Sequence, residues 1–563
     1  MTETQPGTGP RTAGAGARPN VILIMADDMG YSDIGCFGSE IATPNLDSLA
    51  TGGMRLSQFY NYARCCPTRA SLLTGLYPHE AGIGHMIINL GTAPYQGYLN
   101  RNCLTLAEAL KPAGYSAYMA GKWHVGGDYP FRTWRQEMRM GEPDHPTPRQ
   151  RGFDRYFGIL TGGSSFFDPH TLLRDDELCE IDYPNFYLTD AIAEESAKYV
   201  REHVGDDPYL LYVAFTAPHF PLHAPAEDVE RYRGRYRIGW DELRRRRHEE
   251  LNGMGILSET WDISPRDPEA PAWEDVPDQD WEDSRMAVYA AMVDRMDQGI
   301  GKILDAVRAS GQWDNTLIIF LSDNGGSAEF LSEDGVADQH PRRTRDGRPI
   351  EIGNEIGRIP GPETTCLSYD LPWSNASCTP FRFYKHYVHE GGISTPFIAH
   401  WPAVIEPGSI DHQPAWVGDF MPTFLEAAGA SYPREHGGEE IKPLRGESFL
   451  PALSGKSIGR QRSIFFEHES NRAVRDGNWK LVSRHPGNWE LFDMDADRTE
   501  LQDLAAANPR QVDVMAAAHA EWSRELGVRE WEELISMPQA GRLRSWQEDD
   551  KERLRRAAES RPD

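Results

Sequence analysis

Five short runs of apolar, mostly β-branched or aromatic residues recur along the chain, and each borders a polar cluster. Val21–Met25 leads into Ala26-Asp27-Asp28, Tyr115–Met119 into Gly121-Lys122-Trp123-His124, and Tyr209–Phe215 into Pro218-His219. Thr316–Leu321 ends in Ser322-Asp323-Asn324-Gly325-Gly326, while Pro396–His400 follows Lys385 and the turn Glu390-Gly391-Gly392. Runs of this length and composition read as buried strands. Between them lie helical patterns at Leu104–Leu110, at Thr189–His203, and at Met292, Met296, Ile300, Ile303 and Val307. Strands that alternate with helices pair in parallel, with the crossover helices covering both sheet faces. The expected fold class is therefore α/β, with a large, mixed but mostly parallel sheet between two helical layers. Such sheets bind ligands beyond the carboxyl ends of their strands, where the polar clusters fall.

Two stretches break the rhythm, about 225–285 and 327–377, and are expected to be insertions over the sheet. In the first, the run Arg244 to Arg247 is expected to be a solvated helix face paired with Asp241, Glu242, Glu249 and Glu250. After Gly455 the pattern changes to short strand-like pieces at Ser463–Phe466, Arg472–Arg475, Trp479–Val482 and Trp489–Phe492, separated by turn residues. That predicts an antiparallel meander, followed by a helix over Pro509–Leu526 and a charged helical tail from about Arg542. The expected division is a disordered tail over 1–18, a catalytic α/β domain over 19–458, and a smaller antiparallel-sheet domain over 459–563.

A formal charge of -28 argues against nucleic acid and anionic membranes as partners. No apolar run approaches the ~20 residues of a membrane helix, and the first twenty residues hold no signal-peptide core, so a cytoplasmic location is expected. Seven scattered cysteines lack the spacings of a zinc site or a disulfide framework.

One of those cysteines stands apart. Cys65-Cys66-Pro67-Thr68-Arg69 opens the apolar helix that ends at Gly75. A helix start offers unpaired N–H groups and a positive dipole end, so Cys65 sits where an anion is held and a nucleophile activated. Cys66 beside it reads as a spectator thiol. Asp27, Asp28, Asp323 and Asn324 make an all-oxygen set from two strand ends, suited to a hard cation: Ca2+ first, Mg2+ or Mn2+ next, and not zinc. Either pair alone is usually a turn or helix cap, and it is their coincidence with the other clusters that points to a metal. With a divalent ion counted, Arg69, Lys122 and Lys385 leave the cluster net positive, an anion pocket inside an acidic protein. His124 and His219 are candidates for proton transfer, and Pro218 and Pro221 hold His219 on rigid, non-helical backbone. His79, His85, His223, His386 and His389 read as structural or supporting residues.

Asp27-Asp28-Met29-Gly30, Cys65 to Arg69, Gly121 to His124, Ala217 to Pro221, Asp323 to Gly325, and Lys385 through Glu390-Gly391-Gly392 to Pro396 follow one another in a fixed order. In this the chain resembles the type I, formylglycine-dependent sulfatases, most of all their bacterial arylsulfatase branch. The resemblance implies an alkaline-phosphatase-like fold and a sulfuric ester hydrolase that releases inorganic sulfate from an aryl or alkyl sulfate. It implies that a formylglycine-generating enzyme converts Cys65 to the aldehyde whose hydrate attacks sulfur. Asp27, Asp28, Asp323, Asn324 and the modified Cys65 would then hold the cation. Arg69 and Lys122 would anchor the hydrate, His124 would take its proton, and His219 and Lys385 would bind sulfate. Cys378-Thr379-Pro380-Phe381-Arg382 mimics the cysteine motif, but Phe381 replaces its small hydroxyl residue. Two alternatives stay open: a phosphonate monoester or phosphodiester hydrolase of the same superfamily, and a non-catalytic anion-binding protein. Monomer and homo-oligomer are equally open.

Overall fold

The computed structural model describes residues 18–129, 139–332, 340–541 and 543. The expected tail over 1–18, Arg18 apart, and the charged tail from Arg542, Leu543 apart, lie outside the described residues.

Ten strands form the main sheet: β1 (Asn20–Ala26), β2 (Met54–Leu56), β3 (Ser116–Gly121), β4 (Arg155–Ile159), β5 (Leu172–Arg174), β6 (Glu177–Leu178), β7 (Tyr209–Ala214), β8 (Thr316–Ser322), β9 (Phe397–His400) and β10 (Ser409–Asp411). Their spatial order is β10-β2-β9-β8-β1-β7-β3-β4-β5-β6. The centre is parallel, β8, β1, β7, β3 and β4 running the same way. All five sequence-predicted runs are strands of this sheet; β2, β4, β5, β6 and β10 are additional. Strand β1 shows why the run had to be wholly apolar. Val21, Leu23 and Met25 enter one buried cluster and Ile22, Ile24 and Ala26 the other, because side chains alternate across a sheet covered on both faces.

The fifth run differs in direction. Strand β9 lies antiparallel to β8, with Phe397 opposite Leu321 and His400 opposite Ile318. Its amino end therefore shares an edge with the carboxyl ends of the parallel strands, which is why Lys385 and Glu390 precede their strand while the other polar clusters follow theirs.

Helix α1 (Pro44–Gly52), α3 (Leu188–Glu202) and the 31-residue α5 (Gln279–Ala309) pack on one face, and α2 (Cys65–Thr74) on the other. Helix α5 starts inside the expected insertion 225–285, its amino end capped by the Asp278 side chain, which accepts from the Trp281 N–H. Helix α4 (Gly239–Gly253) carries the arginine run, and only half of it is the expected solvated face. Arg245 and Arg246 are exposed and pair with Glu242 and Glu249. Arg244 and Arg247 are buried. Arg247 reaches Asp33 at 2.7 Å and Glu40 at 2.9 Å, and Arg244 donates to the Ser264 carbonyl. Consecutive helical residues point about 100° apart, so a four-residue run must visit both the wet and the dry face.

Strands β11 (Ile464–His468), β12 (Asn471–Asp476), β13 (Trp479–Ser483) and β14 (Glu490–Asp493) form the antiparallel meander, with helix α6 (Pro509–Leu526) against one face. Val474, Leu481 and Leu491 pack on Met515 of that helix, while Ile464, Phe466, Ala473, Val482 and Phe492 join the cluster that holds Val21, Leu23 and Met25. A buried ionic knot crosses this seam. Glu390 bonds Lys480 at 2.8 Å and Arg498 at 3.0 Å, and Lys480 also meets Glu500 at 2.8 Å. Among the described residues no helix is long and apolar enough to cross a membrane.

Candidate active site

The register of β1 on β8 sets Ala26 opposite Ser322, so the next residues, Asp27 and Asp323, leave adjacent strand ends together. Asp28 turns back with φ 64, a left-handed conformation costly for a residue with a β-carbon and typical of functional sites. Its N–H donates to Asp323 Oδ1 at 3.1 Å, and Asn324 Nδ2 donates to Asp28 Oδ1 at 2.8 Å. All four side chains are buried.

Three cations close around them. Lys122 Nζ lies 2.6 Å from Asp27 Oδ2, Lys385 Nζ lies 2.8 Å from Asp28 Oδ2, and Arg69 Nη2 lies 2.7 Å from Asp323 Oδ2 and 3.5 Å from Asp27 Oδ1. Cys65 is the first residue of α2, and Pro67 stands in its first turn, where no intrahelical N–H is required. Thr68 explains the motif's small hydroxyl: it donates to the Asp323 carbonyl at 2.7 Å and accepts from the Tyr62 N–H at 3.0 Å, tying the helix start to the end of β8. Cys378 of the mimic motif instead accepts a hydrogen bond from the Gly326 N–H at 3.2 Å.

His124 Nε2 is 3.2 Å from Cys66 Sγ, and the ligand atoms of Cys65, Cys66 and His124 lie within 4.8 Å of one another. Cys66, expected to be a spectator thiol, is thus in contact with a candidate proton carrier. His219 Nε2 approaches Asp28 Oδ2 at 3.4 Å, and its Nδ1 is held by the Phe220 carbonyl at 2.6 Å. All ten sequence-predicted site residues therefore meet in one cluster.

Sequence reasoning missed four residues. Glu329, from the second irregular stretch, bonds Lys385 at 2.8 Å and Arg64 at 3.0 Å. Arg64, the residue before the helix, also contacts the His386 ring. The two opposite charges leave the local balance unchanged. Gly162 and Gly163 follow β4, which the apolar-run criterion did not detect; a β-carbon at Gly162 would stand 2.4 Å from the His124 ring, and one at Gly163 would stand 3.2 Å from His219. The Gly162-Gly163 pair, set off from the end of β4 by two residues, was the available signal.

Charge and burial set the protonation states. Burial and then the facing Asp27 push the Asp323 carboxyl well above the usual carboxylate range, despite Arg69 and Lys122. Burial likewise raises Asp27 against the pull of Lys122 and Arg69. For Asp28, burial is outweighed by Lys385 and His219, and the carboxyl is lowered. Burial lowers His124 to about 4 and also lowers His219. The Cys65 thiol is pulled well below its usual value by a hydrogen bond from Cys66, then by Lys122 and His124.

These residues fit a hard divalent cation. Asp27 Oδ1 and Asn324 Oδ1 are buried oxygens that accept no hydrogen bond, and unpartnered buried acceptors are costly. Two crowded carboxylates that resist ionisation together are what a doubly charged ion relieves.

A mixed ten-stranded sheet carrying carboxylates, cations and a helix amino terminus along one edge defines a hydrolase of the alkaline-phosphatase-like class. The chain belongs to the sulfatase family: the Sulfatase family model matches residues 19–430, and a model described as N-sulphoglucosamine sulphohydrolase, C-terminal, matches 381–525. It is 34% identical to an arylsulfatase of Klebsiella aerogenes over 463 residues, 79% of this chain and 94% of the relative. It is 32% identical to an uncharacterized sulfatase of Schizosaccharomyces pombe over 494 residues, 83% and 85% of the two chains. The fold also matches the crystal structure of the putative sulfatase yidJ from Bacteroides fragilis, with a TM-score of 0.60, 20% identity, and coverage of 95% and 99%. The protein is a sulfatase.

Proposed function

We propose that the protein hydrolyses aryl or alkyl sulfate monoesters at the Cys65 cluster, with formylglycine made from Cys65 by a formylglycine-generating enzyme and one divalent cation, Ca2+. The observation that carries this reading is the pair of buried oxygens that accept no hydrogen bond, Asp27 Oδ1 and Asn324 Oδ1, beside a cysteine at a helix amino terminus. A thiolate hydrolase has no use for a hard-ion cradle; an oxygen nucleophile does.

Asp27, Asp28, Asp323 and Asn324 would hold the cation, which supplies Lewis-acid polarisation of the sulfate and neutralises the carboxylates. Formylglycine at position 65 would supply, as its hydrate, a nucleophilic oxygen in place of sulfur. Arg69 and Lys122, fixed by Asp323 and Asp27, keep positive charge beside that position through the reaction. His219 and Lys385 converge on Asp28 from two directions and form the anion-binding side, stabilising charge on the sulfate and on the departing oxygen. His124, neutral down to about 4, accepts a proton from a hydroxyl at position 65.

The test is turnover of matched aryl sulfate, phosphate and phosphonate esters by protein matured together with a formylglycine-generating enzyme. Sulfate release should dominate, and Lys122→Ala or His219→Ala should lower it by more than ~100-fold. Faster phosphonate hydrolysis would move the protein to the alternative activity. Near-normal rates in both variants would remove the roles assigned to those residues.

A further inference from the structure

The hairpin joining β11 to β12 turns through Glu469 and Ser470, which adopt φ 52 and 62. Two-residue turns of this hand favour Asn-Gly, because a β-carbon there is strained. His468 and Glu469 at this tip meet His85 of the catalytic α/β region. Glu469 Oε1 is 3.0 Å from His85 Nε2 and 3.5 Å from His468 Nε2. The two imidazoles are stacked, with centroids 4.9 Å apart and planes 15° apart, and Trp531 stacks on His85 at 5.1 Å. Both histidines are at most 2% exposed.

His468 Nδ1 and His85 Nδ1 have no hydrogen-bond partner, and His468 Nε2 meets only Glu469 Oε1, at 3.5 Å. A buried polar atom left poorly paired costs about 1–3 kcal/mol, so an imidazole whose one contact is a long one to a carboxylate leaves room for a ligand between the two. One ligand atom each from His85, His468 and Glu469 lie within 4.8 Å of one another. Ligand atoms around a tetrahedral ion at ordinary Zn–N distances stand about 3.3 Å apart, which the 3.0 and 3.5 Å separations bracket.

We infer that His85, His468 and Glu469 form a second metal site, separate from the oxygen cradle at Asp27, for a borderline divalent ion such as Zn2+, with a water completing four-coordination. Two imidazole nitrogens and one carboxylate oxygen select such an ion over Ca2+, which the all-oxygen set prefers. The site spans the seam between the antiparallel meander and the main sheet, so the ion pins the hairpin tip. The tip adjoins the catalytic mouth: Glu469 Oε2 is 3.4 Å from His386 Nδ1, His386 contacts Arg64, and Arg64 bonds Glu329, the partner of Lys385.

The experiment dialyses the full chain, with Ca2+ in excess, against micromolar Zn2+, measures bound metal, and repeats the titration with Co2+ to read the absorption bands of a four-coordinate site. One Ca2+-resistant zinc per chain and a raised melting temperature are expected. Glu469→Gln should weaken zinc binding at least ~10-fold, while Asp27→Asn should leave it unchanged. Glu469 is partly exposed, so this variant keeps the test valid even if His468→Gln does not fold. Absence of Ca2+-resistant zinc, which would make the cluster a hydrated His-Glu pair, overturns the inference. So does zinc binding that survives Glu469→Gln or is lost in Asp27→Asn.

Discussion

Gly162→Ala isolates the geometry of one proton carrier. The added methyl would stand 2.4 Å from Cε1 and Nε2 of His124, where ordinary carbon contacts need about 3.5 Å, so the ring must retreat by about 1 Å. His124 has little freedom to do so: it is buried and itself adopts φ 53. A displacement of that size from reactive geometry costs up to ~100-fold in rate. Position 162 does not need left-handed backbone, so alanine adds no backbone strain there, but seating its methyl against a buried ring should cost about 1–3 kcal/mol of stability. Gly163→Ala is the internal control, because its methyl would meet His219 at 3.2 Å, a contact that small shifts relieve. The assay is kcat for an aryl sulfate beside the denaturant midpoint of each variant. A rate loss of ~100-fold in Gly162→Ala that persists where the variant is fully folded, with a smaller loss in Gly163→Ala, is expected. Wild-type turnover by Gly162→Ala would refute the assignment of His124 to proton transfer.

Thr68→Val keeps shape but strands the Asp323 carbonyl and the Tyr62 N–H, so it should destabilise the protein by about 2–4 kcal/mol, read from urea unfolding. His223, His400, His468 and His519 are held at about 4 by burial, below the ordinary 6.5. Between those values the unfolded chain takes up protons the folded chain refuses, so stability should fall as pH drops from about 6.5 to 4. Asp297 and Asp419, raised by burial to about 6, oppose this, but they are fewer. Denaturant midpoints at successive pH values would check the sign. Chelation with EGTA should abolish sulfate release and added Ca2+ restore it, because the crowded Asp27 and Asp323 would lose their counter-charge.

The sheet centre and the ten-residue cluster were legible in the sequence because both rest on local pattern. A doubly covered strand such as Val21–Met25 must be apolar throughout, and parallel topology then brings the strand ends together. What escaped depends on tertiary partners. Strand β4, Arg155–Ile159, is only partly apolar, so Gly162 behind it went unread. Glu329 lies in an irregular stretch, where no period foretells which carboxylate turns inward. Arg247 is charged yet buried, because Asp33 and Glu40 from distant sequence meet it. The pairing of Cys66 with His124 depended on a left-handed turn after β3 that composition does not announce.

The central claim is that position 65 acts as an oxygen nucleophile made from cysteine. Mass spectrometry of the peptide spanning Cys65, on protein whose sulfate-ester turnover has been measured on the same preparation, tests it most directly. Formylglycine should be found there, in an amount that scales with specific activity across preparations of differing maturation. Full activity from protein whose Cys65 is an unmodified thiol would contradict the account.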